Sequence, residues 1–198
     1  MSSDYLFAPE RYESHQFIIR SYLPGDGALL TEAVNASYDH LKTFMPWAKS
    51  HQSEEMSEQL VRQFRGRYLL AEDFTLGIFS PDESQLLGGT GFHLRNQPLA
   101  NRNAEIGMWI RASAAGKGLG SAVLRAMLRW GFSEWAWERL AWRGDGRNVA
   151  SQRTAQKAGM IQEGILRGVR KLPDGTRQDT FCYAALRGNQ YVPHRVEA

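Results

Sequence analysis

"AGKGLGSAVLRAML", residues 115–128, sets three glycines within six positions and then runs on as unbroken helix-forming sequence. Just upstream, "EIGMWIR" (105–111) has the look of a strand. Strand, glycine turn and helix in that order leave unpaired backbone amides at the turn, at the positive end of the helix dipole. With no Cβ atoms in the way, such a turn is able to cradle a phosphate. Two familiar cradles do not fit. A Walker loop needs four residues between its glycine and Gly-Lys-Ser/Thr, whereas Lys117 follows Gly116 and precedes Gly118. A dinucleotide fingerprint is met by Gly116 and Gly118 but finds Ser121 where its last glycine belongs.

Outward from this turn the chain reads as a succession of short elements. "HQFIIRSYL" alternates as a first strand, and "PGDGALLTEAVNASYDHL" opens with turn residues and continues as a helix. "SEEMSEQLVRQFRGRY", with Ser53 as cap and acids in its first turn, predicts a second helix. "DFTLGIFS", "QLLGGTGFHL" and "NAEIGMWIR" are strand-like runs joined by polar turns. The long helix after the glycine turn is expected to end near Trp137. It carries two apolar stripes, Leu119/Val123/Met127/Trp130 and Leu124/Leu128/Phe132/Trp135, so most of its sides should be covered. "RLAWRGDG" follows as a strand, "NVASQRTAQKAG" as a helix stopped by Gly159, and "MIQEGILRGV" as a strand. The turn "LPDGT", the last strand "RQDTFCYAAL" and a loose tail "YVPHRVEA" complete the chain. The pattern predicts a mixed α/β fold, one domain over residues 1–198.

Composition narrows the function classes. Apolar residues make up 42% and charged residues 23%, which is ordinary globular composition. No run of apolar residues is long enough for a membrane span, and "MSSDYLFAPERYESH" has no secretory pattern, so a cytoplasmic location is expected. The single cysteine, Cys182, excludes an intramolecular disulfide framework and a cysteine-rich zinc site, and the five histidines show no metal-ligand spacing. Charge is uneven. Residues 1–80 hold 7 Lys+Arg against 11 Asp+Glu, a net of −4, and residues 81–198 hold 17 against 10, a net of +7. The basic part suits a polyanionic ligand and the acidic part a cationic one. Basic clusters interleaved with aromatics are absent, which argues against nucleic acid as a partner except within a ribosomal target.

"AGKGLG" resembles the Q/R-x-x-G-x-G/A pyrophosphate loop of the GNAT superfamily of acyl-CoA-dependent N-acetyltransferases. Gly118 and Gly120 fall on the motif glycines, while Ala115 stands at the usual Gln/Arg position. Together, "NAEIGMWI", "GKGLGSAVLRAMLRWGF" and "NVASQRTAQKAGMIQEGILRG" resemble the RimJ/RimL-type branch, the ribosomal-protein-alanine N-acetyltransferases and their relatives. The likeness extends more loosely over about residues 16–187 and includes "MPWA". It implies a splayed, mostly antiparallel mixed sheet of about seven strands flanked by helices. It also implies acetyl-CoA as cosubstrate with no metal, and direct transfer to a primary amine.

The resemblance assigns residues to roles. Ala115, Gly116, Lys117, Gly118, Leu119, Gly120 and Ser121 would hold the pyrophosphate, and backbone groups of Met108, Trp109, Ile110 and Arg111 the pantetheine arm and thioester. Asn148 would cap its helix and touch the same arm. Glu105, in "AEIG", would draw a proton from the incoming ammonium, directly or through water, and Ser151, in "N-x-x-S", would steady or protonate the thiolate. Trp47 would border the acceptor and Asp179 help bind its amine. Some members carry a second glutamate seven residues beyond an "EG" pair. Here that pair is Glu163-Gly164, and the later position is Arg170, which cannot abstract a proton. Protein N-termini and small-molecule amines both remain open as acceptors, and relatives are often homodimers. The competing reading is a non-catalytic acyl-CoA-binding or regulatory module on the same fold.

Overall fold

The computed structural model describes residues 6–172 and 175–188; the tail from 191 and the middle of "LPDGT" lie outside the described residues. Among the described residues, eight strands and five α-helices alternate along the chain. They are β1 (Arg11–Glu13), β2 (Ile18–Ser21), α1 (Gly27–Asn35), α2 (Tyr38–Leu41), α3 (Glu54–Leu69), β3 (Phe74–Phe79), β4 (Leu86–His93) and β5 (Asn103–Ile110). Then follow α4 (Leu119–Ser133), β6 (Arg139–Asp145), α5 (Val149–Lys157), β7 (Ile161–Lys171) and β8 (Arg177–Leu186). They form one sheet in the order β1-β2-β3-β4-β5-β6-β8-β7. Every neighbouring pair is antiparallel except β5 and β6.

The helix boundaries have local causes. Ser53 caps α3 by accepting from the Met56 amide, with Glu54 and Glu55 in the first turn, as the sequence predicts. Glu58 of α3 accepts from the amides of Gly25 and Gly27, fastening the start of α1 to α3. A Cβ on Gly27 would stand 2.7 Å from the Glu58 Cα, so this close crossing requires glycine. The expected helix over 24–41 is two helices, because the buried Ser37 leaves helical geometry and its Oγ accepts from the Ala112 amide. α4 stops at Ser133 rather than near Trp137: beyond it Ala136 adopts a left-handed φ of 56°, and both Trp135 and Trp137 are buried.

The two faces of the sheet are covered differently. Val123, Leu124, Met127, Leu128 and Trp130 of α4 pack over Phe74, Leu76, Ile78, Phe92 and Ile106, with Trp135 and Trp137 filling the same core. Phe92 and Trp135 meet with ring centroids 4.9 Å apart, and Phe74 and Trp135 likewise. The opposite face is covered by α1 and α3 through a smaller cluster built on Tyr22, Leu30, Val34, Val61 and Phe79. Between the sheet's two halves, parallel pairing of β5 with β6 is limited to Asn103–Glu105 against Arg139–Ala141. Beyond Glu105 the two strands diverge. That divergence positions the site.

Candidate active site

The glycine turn has the geometry its sequence predicts. Gly116 and Gly118 have φ of +74° and +86°, and a Cβ at either would point into open space. Glycine is required there by backbone conformation, not by crowding. Gly120 lies against β5, its would-be Cβ 3.5 Å from the Met108 methyl. α4 begins with Gly118 as N-cap and no capping side chain; its first backbone bond runs from the Ala122 amide to the Gly118 carbonyl. The amides of Leu119, Gly120 and Ser121 therefore precede the intrahelical ladder and face outward, as an anion site needs. Lys117 turns back to donate to the Ser113 carbonyl at 2.8 Å, and Ala115 continues extended into the turn.

The diverging strand supplies a second set of backbone groups. The Arg111 amide donates to the Leu87 carbonyl across the β4–β5 ladder. Antiparallel pairing alternates, so Trp109, two residues back and opposite Gly89, spends its groups on β4 too. Those of Met108 and Ile110 point to the other edge, which β6 has left. Of the four backbone positions expected to meet the pantetheine arm, Met108 and Ile110 present free groups and Trp109 and Arg111 do not. The Arg111 side chain is also committed, as a two-pronged pair with Glu32 of α1 at 2.7 and 3.0 Å.

A cavity of about 520 Å³ passes from the α1–α3 side through this divergence. Its outer wall is aromatic and apolar, with Tyr22, Phe44, Met45, Trp47, Phe64 and Trp109. Trp47 stacks edge-on against Trp109 at 5.8 Å and keeps 45% of its surface exposed. Gly89 and Gly107 make the floor; a Cβ on Gly89 would strike the Trp109 indole at 2.4 Å.

Glu105 and Ser151 both line the cavity. Glu105 is 16% exposed and accepts from Arg95 Nε and Nη2 at 3.0 and 2.9 Å, with Arg143 Nε at 3.9 Å. Two guanidinium groups thus frame the carboxylate. Ser151 Oγ accepts from the Trp142 indole at 3.0 Å, while the Ser151 amide is held by Asn148 Oδ1. The indole occupies one of that hydroxyl's two lone pairs, and among the described residues no protein group accepts its proton. Asn148 caps α5, as expected, and lines the cavity as well. Nearby, burial opposes ionisation of Asp145, but the Arg147 side chain and amide outweigh it and hold the carboxyl below its ordinary value.

Asp179 does not line the cavity; its Oδ1 accepts from the Gly168 amide at 2.7 Å, where the β7–β8 register shifts. The carboxylate satisfies a strand irregularity there. Arg170 stands on the exposed edge strand β7, opposite Gln178. Conversely, the sequence reading passed over His93. This residue ends β4, lines the cavity, pairs in register with Glu105, and sits with its Nδ1 at 2.9 and 3.0 Å from the two oxygens of Asp73. The available signal was the hairpin: aligning "DFTLGIFS" against "QLLGGTGFHL" brings Asp73 beside His93.

The comparisons with known proteins agree with this geometry. Residues 16–161 match the model of the acetyltransferase (GNAT) domain. A function-unassigned N-acetyltransferase of Bacillus subtilis strain 168, YoaA, is 30% identical over 69% of this chain and 75% of its own. YdaF of the same organism, provisionally named a ribosomal N-acetyltransferase, is 26% identical over 85% of this chain and 90% of its own. Among solved structures, RimL, a ribosomal L7/L12 α-N-protein acetyltransferase in complex with coenzyme A, superposes with a TM-score of 0.79. It is 21% identical, over 89% of this chain and 98% of that one. With the split sheet, the glycine turn and this domain match together, the chain belongs to the GNAT acetyltransferase family and is an N-acyltransferase.

Proposed function

We propose that this enzyme transfers an acetyl group from acetyl-CoA to an α-amine, with a protein N-terminus as the acceptor. The observation that carries the reading is the through-going cavity, which sets Glu105 in its wall on one side of the β5–β6 divergence and Ser151 on the other. Acetyl-CoA supplies the activated thioester. The unpaired amides of Leu119, Gly120 and Ser121, beside Gly116 and Gly118, fit its diphosphate, and the free edge of Met108 and Ile110 fits the extended arm. Glu105 attracts the ammonium of the acceptor to the throat, and the Ser151 hydroxyl donates toward the departing sulfur.

The choice of an α-amine follows from proton cost. An α-amine with a pKa near ~8 costs about 1 kcal/mol to neutralise at pH 7, whereas a lysine near ~10.4 costs roughly 4–5 kcal/mol. Arg170 stands where some relatives carry a second glutamate, so that route to the harder task is closed. The names of YdaF and RimL, which point to ribosomal substrates, support the same choice.

Calorimetric titration with acetyl-CoA, against AMP and NADH, is the first test, followed by thiol release with peptides of varied N-terminal residue. One-site binding selective for acetyl-CoA, with turnover on free α-amines and loss of turnover in Glu105→Gln, is the expected outcome. Turnover confined to lysine side chains, or to small amines with peptides inert, would remove the acceptor assignment.

A further inference from the structure

Asp73, His93 and Glu105 form a row across three adjacent strands. Asp73 immediately precedes β3, His93 ends β4, and Glu105 is the register partner of His93 on β5. Asp73 is held from two sides, by His93 Nδ1 and by Thr75 Oγ1 at 3.0 Å. A carboxylate only accepts, so the Nδ1 of His93 carries the hydrogen and, in the neutral ring, Nε2 is left bare. The imidazole lies over the glycine floor: a Cβ on Gly107 would meet Nε2 at 2.8 Å, and one on Gly91 would meet it at 3.1 Å. Among the described residues no protein group is hydrogen-bonded to Nε2, and the ring lines the cavity. A plain staple between strands would need neither the bare nitrogen nor the missing side chains beneath it.

Glu105, by contrast, has one carboxylate oxygen taken up by Arg95, while the other lies 3.9 Å from Arg143 Nε. We propose that His93, oriented by Asp73, is the group that takes the proton from the acceptor ammonium, with Nε2 as the receiving atom, while Glu105 holds that ammonium in place. This rests on the acetyl-transfer reading above and adds the route of the proton. The ammonium gives one proton to Nε2 and becomes nucleophilic. Its nitrogen then bonds to the thioester carbonyl carbon as the carbon–sulfur bond breaks. The nitrogen's second proton ends on the sulfur by way of Ser151, and His93 returns its own to solvent. The charged groups facing the imidazole are Asp73 from the β3 side, Arg95 beyond its own strand, Glu105 on β5, and Arg139 and Arg143 on β6. Asp73 is a positioning residue; His93 is the one that meets the substrate.

The first measurement needs no acceptor. NMR of full-length protein labelled at histidine nitrogen, assigned by the signal lost in His93→Gln, reads the tautomer. The expected result is a proton on Nδ1 and a bare Nε2, a preference erased in Asp73→Asn; a proton on Nε2 in the wild type overturns the proposal. The second is kcat/KM by thiol release across the neutral pH range, with an alanine-start peptide and with phenethylamine. In His93→Gln a drop of about a hundredfold is expected, with the acid limb of the profile gone and acetyl-CoA affinity unchanged. Added imidazole should restore part of the rate of His93→Gly. Asp73→Asn, which serves if the His93 variants do not fold, should lower kcat/KM in the same sense with acetyl-CoA affinity unchanged, because the ring loses the partner that orients it. An acid limb unaltered in the His93 variants, or kcat/KM unaltered in Asp73→Asn, sinks the relay. Peptides inert while phenethylamine turns over sinks only the α-amine acceptor, and the amine profile then decides the relay.

Discussion

The two faces of β3 to β5 carry alternate residues of one short sequence, yet one face is packed solid and the other is hollow. Facing α4 stand Phe74, Leu76 and Ile78, then Phe92, then Ala104 and Ile106, all buried. Facing α1 and α3 stand Thr75 and Gly77, then Gly89 and Gly91, then Glu105 and Gly107. A strand sends successive side chains to opposite faces, so both faces draw on a single backbone geometry. On one parity the missing Cβ atoms make room for the Phe79, Trp109 and His93 rings, the last two of which wall the cleft, while the other parity supplies the stability. A large aromatic on one face and a missing Cβ on the other are two halves of the same design.

Substitutions on the two faces should separate stability from activity. On the packed face, Trp135→Ala empties a fully buried indole site in contact with Phe74, Phe92, Trp130 and Trp137, and is expected to cost about 3–5 kcal/mol. Denaturant unfolding measures this; a loss under about 1 kcal/mol would show that the core is not the anchor. On the hollow face, Gly107→Ala places a methyl where the His93 ring lies, and a side-chain end gives way more cheaply than backbone. Stability should change by less than about 1 kcal/mol, while kcat/KM falls by about a hundredfold through a displaced ring. Equal effects on both quantities would break the contrast.

At the far end of the cavity, Ser151→Ala removes the proposed donor and also the acceptor of the Trp142 indole. A fall of about tenfold in kcat with acceptor KM unchanged is expected, with about 1 kcal/mol of stability lost to the unpaired indole. Unchanged kcat would leave Ser151 a purely structural partner of Trp142. The smallest effect concerns Asp73. Burial opposes its charge, but the hydrogen bond and charge of His93, with Thr75, hold it below its ordinary value. A carboxyl lower in the folded than in the unfolded chain stabilises fully above the ordinary range near pH ~3.9, and loses that contribution as pH falls through the folded value. The stability gap between wild type and Asp73→Asn, under about 1 kcal/mol for a pair still partly exposed, should close only in strong acid. A gap that does not vary with pH would mean the charge is not what Asp73 contributes.

How far these features were legible depended on whether their partners are close in sequence. The glycine turn, the Ser53 and Asn148 caps and the strands β2 to β8 all rest on local pattern, and were read within a few residues. β1 was not, because "RYE" offers no alternation, and it is a strand only through pairing with Ile18–Arg20. Nothing local marks the break at Ser37, whose hydroxyl is claimed by Ala112, 75 residues away. The bond from the Gly168 amide to Asp179 was not legible either, because a bulge on a neighbouring strand has no sequence signature. His93 was one of five scattered histidines until strand register set Asp73 on one side of it and Glu105 on the other.

The glycine floor also governs how this protein can diversify. Because Gly107 borders a movable ring and not the backbone, added bulk at that position reshapes the chamber without drawing on the tryptophan core beneath. Gly91 lacks that freedom, since its Cβ would lie 2.6 Å from the Phe74 carbonyl. Lineages descending from such a chain are therefore held to glycine at 107 by activity and at 91 by folding, two constraints of different origin at neighbouring positions.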